Sequence, residues 1–321
     1  MLTGESVLNL PEPNPRDLRV SIIGAGLMGH ALGTVFAAAG GAVTICELDK
    51  ATLASAPERI RNSLQAVGHD DPQDYSRIAD SIRLVGSLND LDPECSFVTE
   101  AISENLSRKQ ELFRELEWRL PKALFATNTS VLCIGEVSER MISPQRLLGT
   151  HWWNPPYLIP LVEVIQSKAT RPEYVAWTLT LLKELGKAPV HVKKDTPGFI
   201  GNRLQHALWR EAFALIEEGV CDAETVDLVV RNTLGMKLGV FGPIENADYV
   251  GLDLTLAIHE HVFPALSVAT RPQAILRDLV AAGKLGAKSG QGLLPWPPGA
   301  REEVSERINK HLFSQTKRQS K

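Results

Sequence analysis

The sequence has few cysteines and no excess of positive charge, and each shortage excludes a class of protein. Its four cysteines, Cys46, Cys95, Cys133 and Cys221, show no CxxC spacing, so neither a disulfide scaffold nor a cysteine-bound metal is expected. We expect buried free thiols and no metal site. The formal net charge of -4 provides no basic surface for nucleic acid.

Long apolar runs are missing as well. No stretch approaches the ~18 consecutive apolar residues that span a membrane. Residues 1–20 have no basic segment, and prolines at 11, 13 and 15 interrupt their apolar run, which is atypical of a signal peptide. We therefore expect a cytoplasmic protein without a membrane partner.

A glycine-rich turn, "GAGLMG", follows the β-branched run at 20–23 and precedes a helical pattern. Gly24 permits the tight turn, Gly26 lets backbone N–H groups approach a pyrophosphate, and Gly29 lets the helix pack closely on the strand. This context predicts a dinucleotide site. The cofactor-binding residues expected from the turn are Gly24, Gly26, Leu27, Met28 and Gly29.

The acid at the end of the second predicted strand indicates which dinucleotide binds. Glu47 lies 23 residues after Gly24, where a carboxylate accepts hydrogen bonds from the adenosine ribose and repels a 2′-phosphate. The prediction is therefore NAD rather than NADP. Asp49 is the second candidate for this role.

Strand and helix patterns alternate through the first part of the chain, and amphipathic helices fill the rest. The alternation predicts a doubly wound parallel sheet. With the glycine turn, it indicates an α/β protein: a Rossmann-type NAD-binding domain over 1–195, followed by an all-α substrate and dimerisation domain over 196–321. The apolar helix faces of the second domain favour a homodimer.

Polar residues end several of the predicted strands. Glu100, Asn128, Ser130 and His151 all lie at such ends, and ligands of doubly wound sheets bind at the carboxyl edge. We therefore expect these side chains to converge on one site, with Asn128 among the cofactor-binding residues.

The segment 149–165 places His151 and Glu163 in a mostly apolar run. Eleven residues separate them, which lets the chain turn at its prolines and return as the strand "LVEVI". An alcohol releases hydride only as its hydroxyl loses a proton, and an imidazole, with an unperturbed pKa of ~6.5, can accept that proton. A carboxylate on the other ring nitrogen fixes the tautomer. A core histidine is the alternative interpretation, but the neighbouring strand-end motifs favour catalysis.

Several motifs together resemble the L-3-hydroxyacyl-CoA dehydrogenase family, in order along nearly the whole chain. They are "GAGLMG" (24–29), "TEAISENLSRKQELF" (99–113), "TNTS" (127–130), "GTHWWNPP...LVEVI" (149–165), "KDTPGFIGNR" (194–203), "EEG" (217–219), "GPIENADYVGLD" (242–253) and "KLGAKSGQG" (284–292). The resemblance implies a two-domain enzyme that oxidises a 3-hydroxyl of a small molecule to a ketone with NAD.

The same resemblance implies roles for individual residues. His151 matches the catalytic histidine and Glu163 the glutamate paired with it. Ser130 matches a serine near the nicotinamide and the substrate oxygen, Asn202 an asparagine at the substrate carbonyl, and Asn154 the asparagine three positions beyond the histidine. The segment that closes around the cofactor is matched by Glu100, Glu104, Asn105 and Lys109.

The chain departs from the family members that act on acyl-CoA. Trp152 and Trp153 replace two phenylalanines of "HFFNPVPVMKLVEV", and the basic residues of 51–75 are Arg59 and Arg61 alone, which is poor recognition for an anionic CoA handle. The pattern "NPP..IPLVE" is more similar to members acting on free hydroxy acids, such as the carnitine and gulonate dehydrogenases, and on a hydroxymethyl or aldehyde group of a pyridine carboxylate.

Several alternatives stay open at the level of sequence. The two tryptophans either line the substrate or pack in the core. The cation for a substrate carboxylate is Lys194, Arg203 or Lys237. A crystallin-like protein that binds NADH without turnover would keep the fold, and a lysine-dependent hydroxyacid dehydrogenase would share the glycine turn but lack the His–Glu pair.

Overall fold

The computed structural model describes residues 8–66 and 71–319. Its first compact unit runs to Asn202 and includes the end of the chain from Ile308, and Arg203–Arg307 forms the second. Within the described residues, one sheet contains eight strands: β1 (Arg19–Ile23), β2 (Ala42–Cys46), β3 (Arg83–Val85), β4 (Phe97–Glu100), β5 (Leu124–Thr127), β6 (Leu147–Trp152), β7 (Leu161–Ile165) and β8 (Ala188–Val192).

The order of these strands confirms the predicted doubly wound sheet. It is β3-β2-β1-β4-β5-β6-β7-β8, and strands β1 to β6 pair in parallel. The chain moves outward from β1 to β3 and then outward again from β4 on the other side of β1. The crevice beside β1 is therefore the topological switch point, where such sheets bind ligands. β7 departs from the parallel pattern because it runs antiparallel to β6.

Helices cover both faces of the sheet, which explains why β4 and β5 bury every residue. On one face Phe36 packs with its ring centroid 6.0 Å from that of Phe97, and on the other Phe113 lies 6.1 Å from Phe125. The helices of this unit are α1 (Gly29–Ala38), α2 (Lys50–Ala66), α3 (Pro72–Ser81), α4 (Leu106–Arg119), α5 (Ile134–Val137) and α6 (Pro172–Glu184).

Helices make up the remainder, as predicted: α7 (Gly201–Glu217), α8 (Ala223–Asn232), α9 (Leu234–Lys237), α10 (Pro243–Val250), α11 (Leu252–Val262), α12 (Ala274–Ala281) and α13 (Ala300–Gln319). Asp222 caps α8 by accepting a hydrogen bond from the N–H of Thr225. Helices α8 to α12 bury none of their described residues, and Tyr249 is 86% exposed. This unit therefore presents extensive uncovered apolar surface.

The cysteines follow the prediction in part. Cys46 and Cys95 are buried free thiols, whereas Cys133 and Cys221 are only half-buried. The prediction of burial was wrong for these two because Cys133 is the residue before α5 and Cys221 lies in the loop before α8. No helix in the described part of the chain is long and apolar enough to cross a membrane.

Candidate active site

The glycine turn has a shape that only glycines permit. Gly24 has φ +98°, and a Cβ on Gly29 would lie 1.8 Å from the carbonyl oxygen of Gly24, so α1 begins directly against the turn. A Cβ on Gly26 would meet nothing within 4 Å. The backbone at Gly26 therefore borders open space at the start of a helix, which is the room that a dinucleotide pyrophosphate needs.

Two charged side chains brace this turn from outside. Glu47 Oε2 accepts the N–H of Ala25 at 2.8 Å, which fixes the carboxylate beside the turn. Arg59, on α2, donates to the carbonyl oxygens of Ala25 at 2.6 Å and Gly26 at 3.2 Å. Asp49 instead accepts from the N–H of Thr52 at the start of α2. The turn-bracing role of Arg59 was not predicted, because 33 positions separate it from Gly26.

Glu100 and Lys109 form a buried ion pair. Both side chains are fully buried, and Lys109 Nζ donates to the two carboxylate oxygens of Glu100 at 2.7 and 2.8 Å. Glu100 also accepts from Thr127 Oγ1 at 2.6 Å and from the N–H of Ile102 at 2.7 Å. The pair thus ties α4 to the carboxyl ends of β4 and β5, since these elements carry the partners.

Glu104 connects this pair to the loop after β5. Its carboxylate lies 3.5 Å from Lys109 Nζ and accepts from Thr129 Oγ1 and from the N–H of Ser130, the latter at 3.0 Å. Burial raises the pKa of Glu104, but the hydrogen bond from Thr129, the positive charge of Lys109 and the N–H of Ser130 outweigh it and hold the pKa below its ordinary value. The carboxylate therefore stays ionised and fixes the position of Ser130.

Ser130 and Asn128 lie where the sequence places them, at the carboxyl end of β5. Asn128 Oδ1 accepts the N–H of Trp152 at 3.1 Å, which joins the ends of β5 and β6. Ser130 is exposed, and its carbonyl accepts from Asn202 Nδ2 at 2.8 Å. Asn128 is thus linked to the strand that carries His151, and Ser130 is linked to Asn202.

His151 and Glu163 meet through the register of β6 and β7. The two residues are direct cross-strand partners, so their side chains project from the same face. His151 Nδ1 lies 2.7 Å from Glu163 Oε2, with 3% of His151 and none of Glu163 exposed. The other carboxylate oxygen accepts the N–H groups of Ile200 at 2.9 Å and Gly201 at 3.0 Å.

The contacts of Glu163 decide its protonation. Burial raises the pKa of Glu163, but the hydrogen bonds from His151, Gly201 and Ile200 outweigh it, so that the pKa lies below its ordinary value. An ionised Glu163 favours the tautomer that carries its hydrogen on Nδ1, and in that tautomer Nε2 has the lone pair. The arrangement therefore presents a base at the carboxyl edge of the sheet.

Two aromatic rings flank the imidazole. The Trp153 ring centroid lies 5.1 Å from that of His151, and Phe199 lies 5.6 Å away. Trp152 points to the opposite face, where it is 4% exposed and packs 6.3 Å from Phe36. The two tryptophans therefore have different surroundings. Trp152 is a core residue, whereas Trp153 borders the His–Glu pair.

The remaining predicted residues lie at the surface. Asn154 is exposed just beyond β6, and the possible carboxylate partners Lys194, Arg203 and Lys237 are exposed as well. No group of three metal-ligating side chains occurs among the residues at 8–66 and 71–319.

Two family models match the chain. The NAD binding domain of 3-hydroxyacyl-CoA dehydrogenase matches residues 19–196, and the C-terminal domain of the same enzyme matches residues 198–296. The first match covers the sheet and the glycine turn, whose open approach at Gly26 suits a dinucleotide. The protein therefore binds NAD.

Curated relatives agree. The 5-formyl-3-hydroxy-2-methylpyridine 4-carboxylate 5-dehydrogenase of Mesorhizobium japonicum is 32% identical over 87% of this chain and 91% of its own. The mitochondrial hydroxyacyl-coenzyme A dehydrogenase of Homo sapiens is 35% identical over 85% and 89%.

Solved structures show the same fold. A crystal structure of the pyridine-carboxylate 5-dehydrogenase, described as an NAD⁺-dependent dismutase, superposes with a TM-score of 0.85 at 30% identity, over 92% of this chain and 96% of that one. FadB2 of M. tuberculosis gives a TM-score of 0.73 at 33% identity over 87% and 98%. The chain belongs to the 3-hydroxyacyl-CoA dehydrogenase family and is an NAD-dependent dehydrogenase that acts on a CH–OH group.

Proposed function

We propose that this dehydrogenase oxidises the 3-hydroxyl of a small free hydroxy acid, with His151 as the base and Glu163 as its partner. The observation that carries the proposal is the buried 2.7 Å contact between His151 Nδ1 and Glu163 Oε2 at the carboxyl edge of the sheet. A histidine kept for packing alone would not need a buried carboxylate, because burying that charge is unfavourable.

In the proposed reaction the substrate hydroxyl gives its proton to Nε2 of His151 as its carbon loses hydride. Bound NAD supplies the hydride acceptor. Glu163 stabilises the imidazolium that forms, and its bonds to the N–H groups of Ile200 and Gly201 hold the carboxylate in place. General base catalysis of this kind contributes about 10²- to 10⁴-fold in rate.

The neighbouring polar residues would position the reacting oxygen. The exposed Ser130 hydroxyl is the proposed donor to that oxygen. Asn202 uses one amide hydrogen on the Ser130 carbonyl and has a second for a substrate carbonyl. Asn154, which is exposed just beyond β6, is also proposed to contact the substrate.

The cofactor residues would act in two ways. The 24–29 turn and Glu47 would contact the dinucleotide directly, with Asn128 at the edge of the sheet. Glu100, Lys109 and Glu104 are proposed to hold the surrounding loops in place without contacting the dinucleotide, because Glu100 and Lys109 are buried and form an ion pair with each other.

The two arginines of α2 favour a free acid over a CoA thioester. Arg59 faces inward onto the glycine turn, and Arg61 pairs with Asp80 at 3.3 Å. Both guanidinium groups therefore already have partners within the protein, which reduces the positive charge offered to the phosphates of CoA. The cation that would bind the substrate carboxylate is proposed to be Lys194, Arg203 or Lys237.

A second candidate substrate is an aromatic one. The TM-score of 0.85 to the pyridine-carboxylate 5-dehydrogenase exceeds the 0.73 to FadB2, and Trp153 places an aromatic ring beside His151. The alternative substrate class is therefore a hydroxymethyl or aldehyde group on a pyridine carboxylate.

One substrate panel tests these alternatives. NADH formation is followed with free 3-hydroxy acids, their CoA esters and hydroxymethyl pyridine carboxylates. We expect turnover of free acids and at least tenfold lower kcat/KM for the esters. Preference for the esters would overturn the proposed substrate class, and NADH binding without any turnover would indicate a crystallin-like role.

We also propose a homodimer in the cytoplasm. The exposed apolar residues of the second unit, including Val240 at 80% and Ile244 at 75%, present a surface that a second copy would cover. Light scattering on the purified protein should give twice the mass of one chain, 35.2 kDa; a monomer at micromolar concentration would contradict the proposal.

A further inference from the structure

A neighbouring side chain, rather than the backbone conformation, requires glycine at position 201. Its φ is not in the left-handed region, so its conformation is open to other residues. A Cβ at this position would lie 2.4 Å from Cζ2 of Trp153, which is far inside van der Waals contact. The absence of a side chain at Gly201 therefore makes the room that the Trp153 indole occupies.

The indole filling this space lies beside the proposed base. Its centroid is 5.1 Å from the His151 ring, and Trp153 is the first residue after β6, two positions beyond His151. Trp153 stays partly exposed, which leaves part of its ring as a wall beside the imidazole. Trp152, pointing the other way, has no such contact with the site.

The shape of the indole, rather than its N–H, is what the site uses. Trp153 Nε1 is buried and has no hydrogen-bond partner among the described residues. The ring atom nearest Gly201 belongs to the six-membered half of the indole, the part that a phenylalanine would not extend to. A smaller ring at 153 would thus leave empty space between His151 and Gly201.

We propose that Trp153 and Gly201 form a specificity-determining pair, in which the indole seated over Gly201 restricts the space beside His151 to compact, flat substrates and excludes extended acyl chains. This inference rests on the proposed function, because it assigns a substrate shape to the same base. A flat aromatic face favours stacking against planar groups, and hydrophobic walls discriminate by about 10- to 200-fold per methylene.

The test is a double-mutant cycle of W153F, G201A and W153F/G201A. For each protein, kcat/KM is measured with 3-hydroxybutyrate, 3-hydroxyoctanoate and a hydroxymethyl pyridine carboxylate, and Tm is measured without substrate. W152F is the matched control, since it makes the same chemical change on the core side of the strand.

We expect W153F to raise the ratio of kcat/KM for the long acid over the short one by about tenfold or more. G201A alone should lower kcat/KM for the compact substrates by a similar factor, because its methyl group pushes the indole towards His151. Adding W153F should restore most of that loss, and the Tm values should show the same non-additivity. W152F should lower Tm and leave the substrate ratio unchanged.

Two other outcomes would overturn the inference and differ from each other. If wild type oxidises the panel but W153F leaves the substrate ratio unchanged, or if G201A is equally harmful in both backgrounds, the pair is packing only and the proposed function stands. If wild type oxidises no member of the panel, the proposed function falls and the specificity assignment falls with it.

Discussion

Replacement of Glu163 by glutamine should leave the site intact in shape but prevent His151 from acting as the proposed base. The backbone N–H groups of Ile200 and Gly201 are donors at 2.9 and 3.0 Å, so the amide oxygen of the glutamine must face them. The amide NH₂ then points at His151 Nδ1. Because this group donates, the ring must carry its hydrogen on Nε2, where the substrate proton has to arrive.

The expected loss is large because the wrong tautomer cannot act as a base. The equivalent change in a catalytic triad lowers kcat by about 10⁴-fold, and we expect about 10³- to 10⁴-fold for Glu163→Gln. This corresponds to about 4–5.5 kcal/mol of transition-state stabilisation. Replacement of the charge-assisted bond to His151 by a neutral one should also lower the free energy of unfolding by about 1 kcal/mol.

The assay is steady-state NADH formation with the best substrate of the panel, together with NADH binding by fluorescence, which should not change. Glu117→Gln is the matched control. Glu117 is also buried, accepts the N–H groups of Ile142 and Ser143 at 2.7 and 2.5 Å, and pairs with Arg146 at 3.5 Å. It should lose stability but not kcat. A Glu163→Gln enzyme within tenfold of wild-type kcat would refute the reasoning.

Three further predictions concern the cofactor, the thiols and pH. Glu47→Gln removes the charge beside the turn and should lower the preference for NAD over NADP by about tenfold; an unchanged ratio of kcat/KM for the two cofactors would count against Glu47. Burial raises the pKa of Cys46 and Cys95 to about 11, so a thiol reagent at pH 8 should modify the other two cysteines first and reach these only on unfolding, as peptide mass mapping would show. Burial lowers the pKa of Lys187 from 10.5 to about 8; between these values the unfolded chain binds more protons, so stability from this group is lowest below pH 8 and rises towards pH 10.5. Lys187→Met should remove that rise in Tm, whereas the exposed Lys122→Met should retain it.

The sequence predicted the elements of the sheet well because each has a strong local signal. The β-branched run before Gly24 and the helical pattern after Gly29 needed no distant contact, and β1 and α1 lie there. Arg59 gave no such signal. Its contact with the turn depends on how α2 packs against α1, and arginines on helices are usually solvated.

The surroundings of the two tryptophans also could not be predicted from local sequence. Adjacent aromatic residues look alike in a sequence, and the alternation of an extended chain decides only that they point to opposite faces. Which face is the core depends on the register of β6 with β7. A shift of one residue in this register would turn Trp152 to the other face of the sheet and separate His151 from Glu163.

The sequence by itself determined the glycine turn for a dinucleotide, and it placed a histidine and a glutamate, the proposed catalytic pair, at the distance that a returning strand allows. Local propensities and fixed spacings were sufficient for that. Only the tertiary structure decided that Glu163 is held by the backbone of Ile200 and Gly201, and that Trp153 lies over Gly201 beside His151. These contacts join segments almost 40 to 50 positions apart, and their geometry depends on side-chain packing that no local pattern specifies.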